Sequence, residues 1–181
     1  MSRVVMLTAR AAAVPVVGFI ALVLCGCTAV PGGPARWGSD GTDADVLCSS
    51  VDPHEPMVVA DVVTAPAGSA IELVSVDPVE PRNLQIDDIL VSRLEADSGA
   101  VGNSSLPPID ELTMQIWNAR EPVEGFELHA GGRANVLVVA ERTNSERGSL
   151  DNLRLRYRID GVVYEKTAST QYFFEDLCPG G

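Results

Sequence analysis

The chain is expected to fold mainly as β, in an immunoglobulin-like two-sheet antiparallel β-sandwich with one short helix. Three observations predict this. From Met57 onward, β-branched residues recur in short runs separated by Gly, Pro, Asn and Asp. Seven such runs can be marked, the complement of a two-sheet sandwich. One of them alternates strictly and ends in a dipeptide that favours a tight hairpin. The Cys–Trp–Cys spacing of true immunoglobulin domains does not fall across the middle strands, so the expectation concerns the architecture alone.

The first three expected strands are Met57 to Thr64, Ala70 to Val76 and Leu84 to Leu94. The stretch from Ala96 to Pro108 carries Gly99, Gly102, Asn103, Ser104 and Ser105 without a period and reads as a long loop, a kind that is often functional or disordered. Pro107-Pro108 then precedes Asp110 and Glu111, with Ile109, Leu112 and Ile116 at helical spacing and Arg120 near the end, which predicts a short helix within 109–120. Met114 and Ile116 also alternate with Gln115 and Trp117, so a strand remains the alternative for the same residues. Val123 to Ala130, Ala134 to Arg142, Asn152 to Ile159 and Val162 to Phe174 complete the set.

The hairpin near the C-terminus is the best specified element. Leu153, Leu155, Tyr157 and Ile159 alternate with Arg154, Arg156, Arg158 and Asp160, giving one apolar and one charged face. Asp160-Gly161 favours a two-residue type I′ turn. That turn places Ile159 opposite Val162, Tyr157 opposite Tyr164 and Arg156 opposite Glu165. Such cross-strand pairs contribute roughly 0.2–1 kcal/mol each. Lys166 falls opposite Leu155 on the apolar side, where the inner face is expected to reach an edge.

The chain has 181 residues, 13 basic and 25 acidic side chains and a net charge of −12. That is one domain's worth of sequence. Its acidity repels phosphate backbones and excludes a nucleic-acid partner. At the N-terminus, a short basic stretch bracketed by Arg3 and Arg10 precedes an apolar run from Ala11 to Leu24, which reads as an export signal and is too short for a comfortable membrane span. The run ends in Leu24-Cys25-Gly26-Cys27, which resembles the lipobox of bacterial lipoproteins, with Cys25 standing where Ala, Ser, Thr or Val is commoner. The resemblance implies that the thiol of Cys27 receives a diacylglyceryl group and that a signal peptidase cuts between Gly26 and Cys27. It implies a chain held by lipid to the outer face of the bacterial cytoplasmic membrane. Farther along, Trp117, Gly125, Gly131-Gly132, Tyr157, Asp160-Gly161 and Tyr164 form a layout similar to small lipoproteins of unknown function from high-GC Gram-positive bacteria.

The expected organisation is therefore a leader over 1–26, a flexible tether over 27–45 and a sandwich over 46–181. Removing the leader takes away Arg3 and Arg10 and no acid, which moves the charge from −12 to −14. The tether, with Pro31, Gly32, Gly33, Pro34, Gly38 and Gly41, would reach roughly 20–25 Å as a coil. If Cys27 is acylated and Cys25 removed, Cys48 and Cys178 remain at the two ends of the folded region, and export points to a disulfide between them. Closing that loop disfavours the unfolded chain by about 5 kcal/mol on the chain-entropy account.

Candidate chemistry is sparse. His54 and Met57, with Met114, could suit a soft metal such as copper, but the ligands are few. Asp87-Asp88, Asp110-Glu111 and Glu175-Asp176 are carboxylate pairs of the residue type that glycoside hydrolysis uses, although neighbours on a strand face opposite ways. Asp40, Asp43 and Asp45 cluster as in a calcium loop without its Gly and bidentate Glu. His129 stands alone, and no nucleophile or phosphate-loop motif occurs. The row Arg154, Arg156, Arg158 is the candidate face for an anionic protein or polymer partner, against a solvated sheet face as the plainer reading. Trp37 is placed in the tether and Trp117 in the core. The sequence is thus read as a monomeric binding or structural module with no catalytic residue, metal or cofactor, the alternatives being an extracytoplasmic hydrolase or a metal-binding lipoprotein.

Overall fold

Short apolar runs broken by Gly and Pro sort residues 29–38, 45–95 and 98–178, the part described by the computed structural model, into strands and one helix. The leader, Cys27, Asp40 and Asp43 lie outside the described residues. In chain order the first elements are β1 (Val30–Pro31), β2 (Arg36–Trp37), β3 (Val46–Ser50), β4 (Met57–Thr64), β5 (Ile71–Val79), β6 (Leu84–Leu94) and β7 (Asn103–Ser105). There follow α1 (Glu111–Asn118), β8 (Glu121–Pro122), β9 (Glu127–Leu128), β10 (Arg133–Arg142) and β11 (Gly148–Leu150). The last three are β12 (Asn152–Ile159), β13 (Val162–Thr167) and β14 (Gln171–Glu175).

The fold is a β-sandwich. One sheet runs β1-β13-β12-β5-β9 and the other β2-β4-β10-β6-β8, with β7 added on β4. A small third sheet, β11-β14-β3, closes the side. The pairing is antiparallel except at β1–β13 and β14–β3, which are parallel. Alternate residues of β4 and β10, among them Val59, Val63, Val136 and Val138, meet Leu73, Leu153, Leu155 and Tyr157 of the facing sheet in the main core. The opposite residues, including Val58, Ala60, Leu137 and Val139, face outward and are covered by Ile116, Val101 and the half-buried Trp117.

The expected hairpin forms in the expected register, with Ile159 beside Val162, Tyr157 beside Tyr164 and Arg156 beside Glu165. Asp160 and Gly161 take φ of 47° and 80°, as a type I′ turn requires. The two tyrosine rings stack at 5.5 Å. The helix also forms. Asp110 caps it by accepting from the Thr113 amide at 2.8 Å, and Thr113 and Ile116 face the sheet, whereas Ile109 is 84% exposed.

Three expectations need correction. Residues 29–38 are not tether: β1 pairs with Tyr164 and Glu165, β2 pairs with Val63 and Thr64, and Ala35 and Trp37 are fully buried. Trp37 supplies the reason, since it buries its indole and donates from Nε1 to the Leu153 carbonyl at 3.0 Å. The inner face consequently continues past Lys166, whose ammonium donates to the Ala35 carbonyl at 2.9 Å. The strand expected from Val123 to Ala130 shrinks to β9, because Gly125 at φ 78° bends the chain and Val123, Phe126 and Leu128 are buried at uneven spacing. The run from Val162 to Phe174 splits between two sheets at residues 168–170, where the Gln171 amide donates to the Asp45 carbonyl and β14 joins β3. No described helix is long and apolar enough to cross a membrane.

Candidate functional site

Strand alternation puts Arg154, Arg156 and Arg158 on the outer face of β12, and neighbours of opposite charge meet each of them. Arg156 Nε donates to Glu165 at 2.8 Å, Arg154 lies 3.7 Å from the same carboxylate, and Arg158 Nη1 contacts both oxygens of Glu72 at 2.6 Å. The Glu165 carboxylate raises the Arg156 guanidinium pKa further. The row is a charge-balanced sheet face. Beside it, Arg158, Glu72, Glu127 and Asp160 rim an open recess of about 270 Å³.

A second recess, of about 380 Å³, lies at the other end of the sandwich between Arg142, Ser145, Arg147, Glu175 and Asp176. Arg142 is 1% exposed, pairs with Asp176, and keeps its Nε buried without a partner among the described residues. Arg147 pairs with Glu175 at 2.9 Å and lies 3.7 Å over the Phe173 ring. The C-terminal acids thus already occupy both guanidinium groups. Cys48 and Cys178, in β3 and the segment after β14, are joined in a disulfide that holds this segment down.

The polar cluster that sequence reasoning missed is Asp61. It takes an inward position of β4 between Val59 and Val63 and is 8% exposed. Val62 N donates to Oδ1 at 2.8 Å, and Thr170 Oγ1 and Tyr172 Oη donate to Oδ2 at 3.0 and 3.3 Å. Burial raises the carboxyl pKa above its ordinary value, more than these bonds lower it, with Asp45 adding repulsion. Burial also pushes the Tyr172 phenol up. A Cβ on Gly38 would stand 2.9 Å from Asp61 Oδ2, so the small residue there is a steric need. The signal available in the sequence was an Asp at an inward position of a valine-rich strand.

The remaining candidates are dispersed. His54 is exposed in the loop before β4, Met57 is buried in the main core, and Met114 is 41% exposed on α1 beyond the opposite face of the sheet. His129 is exposed in the β9–β10 loop. Asp87 and Asp88 are exposed and accept from the Gln85 side chain and the Ile89 amide; Asp110 caps α1 with Glu111 behind it. Among the described residues, no group of three or more His, Cys, Asp or Glu could hold a metal ion. Trp117 is half-buried, and the Arg120 guanidinium stacks 4.0 Å over its ring.

No family model matches the chain, and no curated protein matches it either. Among solved structures it is similar to the VesB protease of Vibrio cholerae, at TM-score 0.41 and 8% identity over 78% of this chain and 31% of that one. A human CEP192 domain described as ASH/PapD-like aligns at TM-score 0.41 and 5% identity, over 80% and 86% of the two chains. A family 123 glycoside hydrolase from Clostridium perfringens aligns at TM-score 0.38 and 13% identity, over 75% and 23%. The chain spans under a third of the protease and of the hydrolase.

Proposed function

We propose that this chain is a lipid-anchored β-sandwich on the outer face of the cytoplasmic membrane, working as a monomeric binding or structural module rather than an enzyme. The observation that carries the reading is Leu24-Cys25-Gly26-Cys27 at the end of an apolar run behind Arg3 and Arg10. The Cys48–Cys178 disulfide supports it, because such bonds persist outside the reducing cytosol. Two acyl chains on Cys27 meet the requirement for stable anchoring. The non-catalytic part of the reading is supported by the work the carboxylates already do, Asp110 as a helix cap and Glu175 and Asp176 as partners of Arg147 and Arg142.

Intact-mass analysis of the membrane fraction tests the anchor. The expected product begins at a diacylglyceryl-modified Cys27, and Cys27→Ala leaves the leader in place; an unmodified chain starting at Met1 overturns the reading. The face of Arg154, Arg156 and Arg158 is the candidate for an acidic protein or polymer partner, which would exchange the pairs with Glu165 and Glu72. Changing all three to Ser is expected to weaken capture of that partner, and unchanged capture removes this face from consideration.

A further inference from the structure

We propose that one end of the sandwich is a membrane-contact surface: the bilayer meets the loops at 65–70 and 129–132 and the Asp160-Gly161 turn, while the disulfide end points away. The inference rests on the acylation of Cys27 proposed above and adds an orientation that the lipid alone does not give. Ala29 is the first residue of the chain placed on the sandwich, and Cys27 is two residues before it. Two Cα–Cα steps span at most about 7.6 Å. The lipid therefore enters the bilayer next to the body of the domain, with no long tether in between.

The pairing of β1 fixes which end that is. Val30 lies beside Tyr164 and Pro31 beside Glu165 in parallel register. Tracing β1 backward from Val30 therefore leads past Val163 and Val162 toward the turn at Asp160-Gly161. The same end holds the β4–β5 and β9–β10 loops, because β12 pairs Arg158 with Glu72 and β5 pairs Ile71 with Leu128. These two loops bond to each other, Gly131 N to the Pro66 carbonyl at 3.0 Å and Ala65 N to the Gly132 carbonyl at 2.9 Å. They read Ala-Pro-Ala-Gly-Ser-Ala and His-Ala-Gly-Gly, with no carboxylate in either.

The loop compositions agree with this placement. The loops at the opposite end carry Asp52, Glu55, Glu80, Glu146 and Asp176, with Arg82 and Arg147 among them. A strongly acidic domain near an anionic leaflet is best placed with its carboxylates outward, since surface potential decays within a Debye length. The anchor end keeps Asp160 in its turn and Glu72, Glu95 and Glu127 at its strand ends, Glu72 being paired with Arg158, while the two loops beside the anchor carry no acid. β10, ten residues long, joins the two ends and separates them by about 30 Å.

The test uses the full acylated chain in vesicles of phosphatidylcholine and phosphatidylglycerol containing phosphatidylcholine spin-labelled at the headgroup. A fluorophore is placed on Ala67→Cys, Ala130→Cys or Ser145→Cys, and quenching by the headgroup label is read after flotation. Positions 67 and 130 are expected to lose at least about half their emission, and position 145 almost none at about 30 Å. Flotation with equal quenching at all three positions overturns the orientation and leaves the anchor standing. Failure of the acylated chain to float overturns the anchor and the orientation with it.

Discussion

The two faces of the β2-β4-β10-β6-β8 sheet both bury polar side chains and treat them in opposite ways. On the inner face, Asp61 receives three donors, from Val62, Thr170 and Tyr172. On the outer face, Ser92 Oγ and Asn135 Oδ1, on residues directly opposite each other in β6 and β10, have no partner among the described residues. What covers each face explains the contrast. The inner face meets a second sheet together with segments from both ends of the chain, and residues 170–172 bring hydroxyl groups with them. The outer face meets one eight-residue helix and a loop, whose polar contribution to this pair is the Val101 carbonyl that accepts from Asn135 Nδ2 at 2.7 Å. Satisfaction of a buried polar group is therefore decided by the covering segment, not by the strand that carries it.

The largest expected effect concerns packing on the two faces. Trp37→Ala empties a fully buried site and removes an indole hydrogen bond, at an expected cost of about 3–5 kcal/mol. Ile116→Ala, under a thinner cover that can collapse, is expected to cost about 2 kcal/mol. Urea midpoints at constant slope measure both. Equal losses would break the contrast in packing.

Asp61 sharpens it electrostatically. Asp61→Ala strands the Thr170 and Tyr172 hydroxyls and is expected to cost about 1–3 kcal/mol. The pH dependence follows from the direction of its shift. The folded state holds the Asp61 proton more tightly than the unfolded chain, so its contribution is complete below the usual carboxylate range and is lost as pH rises through the raised folded value. Asp61→Asn cannot ionise. Its stability relative to the native chain should therefore increase as pH climbs across that window, read from unfolding curves at successive pH values. A constant difference would mean that Asp61 titrates alike in both states.

The same contrast explains what could be read from the sequence. The hairpin at Asp160-Gly161 was legible residue by residue because turn chemistry and strand alternation act locally and agree. The helix was legible from Asp110 and Glu111 after Pro107-Pro108, while its first residue was not: Asp110 is the N-cap, so Ile109 falls before the helix and stays exposed. Residues 29–38 looked like coil because Gly and Pro dominate them, yet Gly33 at φ 95° lies where a Cβ would collide with Tyr157 and Tyr164. Only the tertiary partner reveals that role. The cluster around Asp61 was hidden for a related reason, since its donors at positions 170 and 172 are more than a hundred residues away in sequence.

Two smaller substitutions test the polar contrast directly. Thr170→Val keeps the side-chain volume and removes one donor to Asp61, with an expected loss of about 1 kcal/mol. Ser92→Ala on the outer face removes a buried hydroxyl that has no partner among the described residues. Deleting such a group leaves no other buried atom stranded, so stability should hold constant or rise by up to about 1 kcal/mol. The pairing of Ser92 with Asn135 gives the alternative a definite form, a bound water bridging the two side chains. In that case Ser92→Ala would lower the thermal midpoint, and Asn135→Ala would make the further loss from Ser92→Ala disappear in a double-mutant cycle.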